Sequence, residues 1–176
     1  GLARVDRPAH DGDRIAIAGL DAEFAVMEVP GHTREHLAFV GHGWLFCGDT
    51  LFSCGCGKAF DGRPDQLYHS LLRLAALPAD TAVCCAHEYT LENIAFVARV
   101  DPDNAALRDS RARAETLRAA GRPTLPVSLA SELACNPFLR CHDPGLRYRV
   151  ARLTGVEGYA DAADAFLALR RLRDAA

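Results

Sequence analysis

Three residues of this chain have the chemistry to hold a divalent cation, and each follows a strand-like run. His87 ends the apolar run Val83-Cys84-Cys85-Ala86 and precedes a helix start at Glu88-Tyr89-Thr90. His32 lies in Pro30-Gly31-His32-Thr33, after the alternating run Phe24 to Val29, and Asp49 lies in Gly48-Asp49-Thr50, after Trp44 to Cys47. A side chain at the C-terminal end of a buried strand reaches a site opening rather than the core. A neutral imidazole there can bind a metal while its second ring nitrogen is held by a neighbour. A carboxylate can bridge two cations, and imidazole with carboxylate suits zinc, iron or manganese. Three ligands are too few for two metals and barely enough for one open site. Taken singly, each of these residues also fits a satisfied core histidine or an ordinary turn. His36, four residues after His32, reads as a packing or supporting group, and His42 as a solvated turn residue.

The elements that position these residues are legible from periodicity. Arg14 to Ala18, Phe24 to Val29, Leu37 to Val40 and Trp44 to Cys47 read as strands, with Gly41-His42-Gly43 as a hairpin signal. Ser53 to Lys58 reads as a loop with two glycines, able to approach a ligand closely. The period then changes. Pro64 suits a first helical turn, Leu67, Leu71, Leu74 and Ala75 form a helical apolar stripe, and Thr81 to Cys85 returns to strand. Strand, loop, helix, strand is an α/β layout.

From Thr90 onward the pattern is helical. Thr90 is expected to cap Leu91 to Val100, and Asp101-Pro102 to open a helix toward Ala120, stopped by Gly121-Arg122-Pro123. Ser128 to Ala134 reads as a short helix, and Asp161 as the cap of a last amphipathic one. A domain boundary falls near Glu88 to Leu91.

At 176 residues the chain can hold one sizeable core, or one domain and a small second one. Its formal net charge of -3 gives no bulk attraction for a nucleic acid, and no apolar run approaches bilayer length. Seven cysteines, an odd number in apolar context, argue against a secreted disulfide framework and for a reducing compartment. The chain opens with Gly1-Leu2-Ala3-Arg4-Val5 rather than Met, which reads as a processed or truncated start.

Together, Pro-Gly-His-Thr with His36, Gly-Asp-Thr-Leu-Phe (48–52), Gly-Cys-Gly-Lys (55–58) and Cys-Ala-His-Glu-Tyr-Thr (85–90) resemble glyoxalase II, the hydroxyacylglutathione hydrolases of the metallo-β-lactamase superfamily. The likeness continues through Asn136-Pro137-Phe138-Leu139-Arg140 to Leu169-Arg170-Arg171-Leu172-Arg173-Asp174, nearly the whole chain. It implies an α/β fold: a partial metallo-β-lactamase αββα sandwich over residues 1–89, followed by a small all-helical glutathione-binding domain over 90–176. It also implies two divalent metal ions, zinc foremost with iron or manganese as alternatives. His32 would serve the first, His87 the second, and Asp49 both. Lys58, Tyr89, Arg170 and Arg173 match positions that hold glutathione. Phe60 stands where many members carry a tyrosine, so that hydroxyl is lost, and Arg173 stands where a lysine is common.

The implied reaction is hydrolysis of the thioester S-D-lactoylglutathione to glutathione and D-lactate by a hydroxide shared between the metals. The implied setting is a cytoplasmic monomer with no nucleic-acid or membrane partner. The family's His-x-His-x-Asp-His run is not present in this sequence. The chain is therefore expected to be the C-terminal part of such a protein, catalytic only at full length. A non-catalytic glutathione-binding module or an inactive truncated homologue is the alternative. A persulfide dioxygenase with one iron is a further relative, and the helical tail ending in Arg170 and Arg173 argues against it.

Overall fold

A computed structural model describes residues 7–176. Gly1 to Asp6, on which the expectation of a processed or truncated start rests, lie outside the described residues. The described chain begins with an antiparallel meander. It comprises β1 (Arg14–Ala16), β2 (Glu23–Glu28), β3 (Leu37–Gly41) and β4 (Trp44–Gly48). β3 and β4 join through His42-Gly43, whose φ angles of 52° and 79° are both left-handed, as a two-residue hairpin requires. Gly43 adopts this freely. His42 is held there in part by its Nε2, which accepts the Glu23 N–H at 3.2 Å. The alternation of β4 sets its two faces: Leu45 and Cys47 are fully buried, while Trp44 and Phe46 lie outward, where Phe46 meets Phe24 edge-on.

A two-residue hairpin, β5 (Leu51–Phe52) with β6 (Gly55–Cys56), follows where the sequence reads as loop. Its span is too short for a period-2 signal. The helix α1 (Pro64–Ala75) then crosses over the sheet, with Pro64 in its first turn and Leu67, Leu71 and Leu74 fully buried. It delivers β7 (Ala82–Cys85) parallel to β4.

The remainder is helical apart from one strand. The helices are α2 (Thr90–Val100), α3 (Ala105–Ala119), α4 (Leu129–Cys135), α5 (Pro144–Thr154) and α6 (Ala162–Asp174), with a 3-10 turn at Pro137–Leu139. The strand is β8 (Val127–Ser128), which pairs antiparallel with β7, so a segment beyond residue 90 closes the sheet edge in the order β1-β2-β3-β4-β7-β8. The core is one continuous cluster, running from Leu45 and Val83 on the sheet through Ile94 and Val97 to Phe138, Phe166 and Leu169.

Two expected caps differ. Thr90 does not cap α2, because its hydroxyl pairs with Thr124 Oγ1 at 2.7 Å in the buried interior. Asp101 does not open α3. It is 2% exposed and its carboxylate is taken by Arg140 and Arg149, so Asn104 caps the helix instead, accepting the Leu107 N–H. A carboxylate with two guanidinium partners is drawn into that network more strongly than to backbone N–H groups. The cap at Asp161 forms as expected, whereas Ser128, read as the first residue of a short helix, instead caps α4 by accepting the Ser131 N–H.

A buried polar knot joins the helices to the small hairpin. Asn136, at 0% exposure, donates to the carbonyls of Phe52 and Gly55 and to Glu132, and accepts the Phe138 N–H. Glu132, at 1% exposure, accepts from Ser53 Oγ and the Cys54 N–H. Asn136→Ala leaves two buried carbonyls and a carboxylate short of donors, and is expected to cost about 3 kcal/mol in urea unfolding.

Burial raises the Glu132 carboxyl from 4.5 to about 7, overcoming the three donors that favour its charged form. Its folded-state value lies above its unfolded one. Its stabilising contribution is therefore complete below about pH 4.5 and is lost as pH rises through about 7. Between about pH 5 and about pH 8 the unfolding free energy of the native protein should fall, on the order of 2 kcal/mol, relative to Glu132→Gln. Parallel pH profiles for the two proteins would remove Glu132 as the cause.

Candidate metal centre and substrate cavity

Each of the three candidate ligands is placed by a backbone feature that its sequence dictates. His32 follows Gly31, whose φ is +136° and where a Cβ would lie 2.3 Å from Leu67 of α1. Only glycine lets the turn pass that closely under the helix, and Ser70 of α1 holds the turn by donating to the Pro30 carbonyl at 2.6 Å. Asp49 follows Gly48, also left-handed, where a Cβ would strike His36 Nε2. His36 instead accepts the Asp49 N–H at 3.1 Å. Burial holds the His36 pKa below its ordinary value, which favours the neutral ring that this acceptor role needs. His36 is thus a supporting group for Asp49, as its position four residues after His32 suggests. His87 leaves the end of β7, where the Ala86 N–H extends the ladder to the Gly48 carbonyl.

The three side chains come together. Asp49 stands between the two imidazoles, with Oδ2 3.9 Å from His32 Nε2 and Oδ1 3.3 Å from His87 Nε2. Both distances exceed a strong hydrogen bond, so the donors face the carboxylate without being consumed by it. The three donor atoms do not close into one cage with all pairs within 4.8 Å. The arrangement is two half-sites, each offering one imidazole and one oxygen of a shared carboxylate. His32 Nδ1 lies 2.8 Å from the Lys58 carbonyl, which fixes the hydrogen there and leaves Nε2 as the free lone pair. Donor type, tautomer and sharing of Asp49 all fit a pair of divalent ions whose remaining ligands come from outside these three residues.

Above Asp49 opens a cavity of about 420 Å³ lined by His32, Phe52, Lys58, His87, Tyr89, Asn93, Arg170 and Arg173 among others. Tyr89 stacks on His87, with ring centroids 5.1 Å apart, and its edge meets Phe52. The cationic residues divide by environment. Lys58 is exposed and Arg173 half-buried, its guanidinium 5.6 Å over the Phe96 ring and 3.5 Å from Asn93 Oδ1. Arg170 is 8% exposed. It donates to the carbonyls of Cys56 and Gly57, pairs with Asp174 and packs over Phe138. Its charge is already engaged in holding the cavity wall. Phe60 is 76% exposed and lies outside the cavity lining, with its ring centroid 6.3 Å from that of His32.

Asn93 is a cavity residue that sequence reasoning missed, and its signal was a polar side chain on the apolar stripe of α2 beside Ile94 and Val97. It donates to the Ser53 carbonyl. Gly57 has an equally strict role, since a Cβ there would lie 1.9 Å from the Asp49 carbonyl oxygen. Gly57→Ala is expected to displace the Asp49 backbone and cost about 2 kcal/mol or more. Gly43→Ala, at a left-handed position with open space around it, should cost only about 1 kcal/mol. Equal unfolding midpoints for the two variants would contradict the close approach at Gly57.

Comparison with known proteins gives a consistent result. Residues 2–87 match the family model described as metallo-beta-lactamase superfamily, and residues 88–176 that described as hydroxyacylglutathione hydrolase C-terminus. The chain is 55% identical over 164 residues to a hydroxyacylglutathione hydrolase of Xanthomonas campestris pv. campestris, covering 93% of this chain and 63% of that protein. It is 52% identical over 174 residues to the protein of the same name from Xanthomonas euvesicatoria pv. vesicatoria, covering 97% and 67%. The chain thus spans about 63% of the length of the first of these relatives. Among solved structures, ETHE1 from Myxococcus xanthus superposes with a TM-score of 0.54 at 24% identity, covering 92% of this chain and 58% of that one. BLEG-1 B3 metallo-beta-lactamase gives 0.52 at 19%, covering 76% and 48%. These two likenesses concern the fold alone.

Proposed function

The chain belongs to the hydroxyacylglutathione hydrolase family, within the metallo-β-lactamase superfamily, and we propose that it serves a thioester hydrolase acting on S-D-lactoylglutathione to release glutathione and D-lactate. The observation that carries this reading is the carboxylate of Asp49 between His32 and His87, at the base of a cavity lined by the cations Lys58 and Arg173, neither of them paired with a carboxylate among the described residues. Two divalent ions bound there, zinc foremost, would supply Lewis acidity and water activation at neutral pH. His32 and Asp49 would hold one and His87 and Asp49 the other, the remaining ligands coming from the rest of the full-length protein.

The residues of this chain do the positioning. Glutathione carries two carboxylates, and Lys58 and Arg173 match them in sign, so they orient the peptide as well as attract it. Arg170, neutralised by Asp174, keeps the backbone of Cys56 and Gly57 in place, and through it the Lys58 carbonyl that sets the His32 tautomer. Tyr89 and Phe52 give the cavity an apolar wall beside His87 and limit water around the acyl group. In this reading residues 1–89 carry the metal side and residues 90–176 the glutathione side. Among the described residues no helix is long and apolar enough to cross a membrane. The seven unpaired thiols suit the reducing cytoplasm in which we place the activity.

In the full-length protein, His87→Ala is expected to lower metal content and reduce thioester hydrolysis to background. Native turnover with unchanged metal content would refute the ligand assignment. Arg173→Ala is expected to raise KM for the glutathione thioester about tenfold, the loss of one charge-assisted contact, with kcat within about twofold. An unchanged KM would remove Arg173 from the glutathione site.

A further inference from the structure

All seven cysteines are free thiols, and two of them, Cys54 and Cys135, stand sulfur to sulfur. Cys54 sits in the turn between β5 and β6, and Cys135 is the last residue of α4. Their sulfurs lie 3.4 Å apart across 81 positions of sequence. Cys54 has φ +56°, a left-handed conformation in which glycine is relaxed and a side chain costs about 1 kcal/mol. The backbone therefore gives no reason for a cysteine at this position. Its side chain, buried in the core, meets Cys135.

The pair is chemically asymmetric. The hydrogen bond from Cys54, helped by the hydroxyls of Ser110 and Ser131, holds the Cys135 thiol below its ordinary value against the opposing effects of burial and Glu132. The same contact, with burial, pushes Cys54 up, so Cys54 keeps the proton. Ser110 Oγ lies 3.5 Å from Cys135 Sγ and 3.4 Å from Ser131 Oγ, and both serines are partly exposed. Cys135 is thus one side chain beneath the surface. Glu132 also lies within 4.8 Å of both sulfurs, but its oxygens already accept from Ser53, Cys54 and Asn136, which favours thiol chemistry over a cation at this place.

We propose that Cys54 and Cys135 form a redox modification site that closes to an internal disulfide when a peroxide is the oxidant. The Cys135 thiolate attacks the peroxide oxygen, giving a sulfenic acid and releasing hydroxide from hydrogen peroxide. The Cys54 sulfur then displaces the sulfenic oxygen as water, forming the S–S bond, so that two thiols and one hydrogen peroxide become one disulfide and two waters. The sulfurs need approach only from 3.4 Å to about 2.0 Å, in a segment that Glu132 and Asn136 already hold. The bond would staple to α4 the hairpin that leads into Cys56, Gly57 and Lys58 at the cavity.

The test treats the folded protein with hydrogen peroxide, unfolds it, alkylates the remaining thiols and maps the peptides by mass. Oxidation of the single methionine, Met27, reports that the oxidant has acted. The expected result is loss of two alkylatable thiols out of seven, a linked pair of peptides containing Cys54 and Cys135, and full recovery after dithiothreitol. Cys54→Gly suits the left-handed backbone and should fold, and in it the linked pair should vanish while Cys135 carries added oxygen. All seven thiols still alkylated beside an oxidised Met27 would overturn the proposal. So would a cross-link through another pair such as Cys47 and Cys85, or a linked species that persists in Cys54→Gly.

Discussion

Glu132 and Asn136 form the contact on which the rest of the structure depends. Glu132 lies in the middle of a seven-residue helix and Asn136 caps its end; both are fully buried, and between them they satisfy the carbonyls of Phe52 and Gly55, the Cys54 N–H and the Ser53 hydroxyl. The hairpin they hold is only two residues long on each side and has little stability of its own. Without the helices it has no fixed course. With them it leads into Gly57, packed against the Asp49 carbonyl, and into Lys58, whose carbonyl sets the His32 imidazole. A helix in the second half of the chain thereby fixes candidate ligands in the first.

The same logic explains the division of labour among the arginines. Arg170 is buried, paired and hydrogen-bonded to backbone, and an isolated charge at that depth would be costly. Its ion pair with Asp174 and its seat over Phe138 make it part of the wall. Arg173, one turn away and half-buried, keeps its charge available to the cavity. Two residues that look alike in sequence therefore differ in environment, because burial and pairing commit the guanidinium of Arg170 to the protein and leave that of Arg173 facing the cavity.

Much of this was legible in the sequence. The strand at Trp44 to Cys47, the hairpin signalled by Gly41-His42-Gly43 and the leucine stripe of α1 are local signals, and each formed where expected. The ends of β2, β4 and β7 carried His32, Asp49 and His87, and the fold brings the three together. What was not legible is long-range. Asp101 reads as a cap until two arginines from 39 and 48 residues away claim it. β8 has two residues and exists only because β7 offers an edge. α5 was not singled out, although Asp143 and Pro144 form an ordinary start, with the Asp143 carboxylate accepting the N–H groups of Gly145 and Leu146. The Glu132 knot and the Cys54–Cys135 contact join positions about 80 residues apart, and no pattern of spacing announces them.

If one carboxylate serves two ions, the metal stoichiometry of the full-length protein must report it. Metal content per chain would be measured for Asp49→Ala and for His87→Ala after exhaustive dialysis. Asp49→Ala is expected to lose metal from both positions, whereas His87→Ala loses it mainly from one. Two ions retained in Asp49→Ala, or an equal single loss in the two variants, would contradict a shared Asp49.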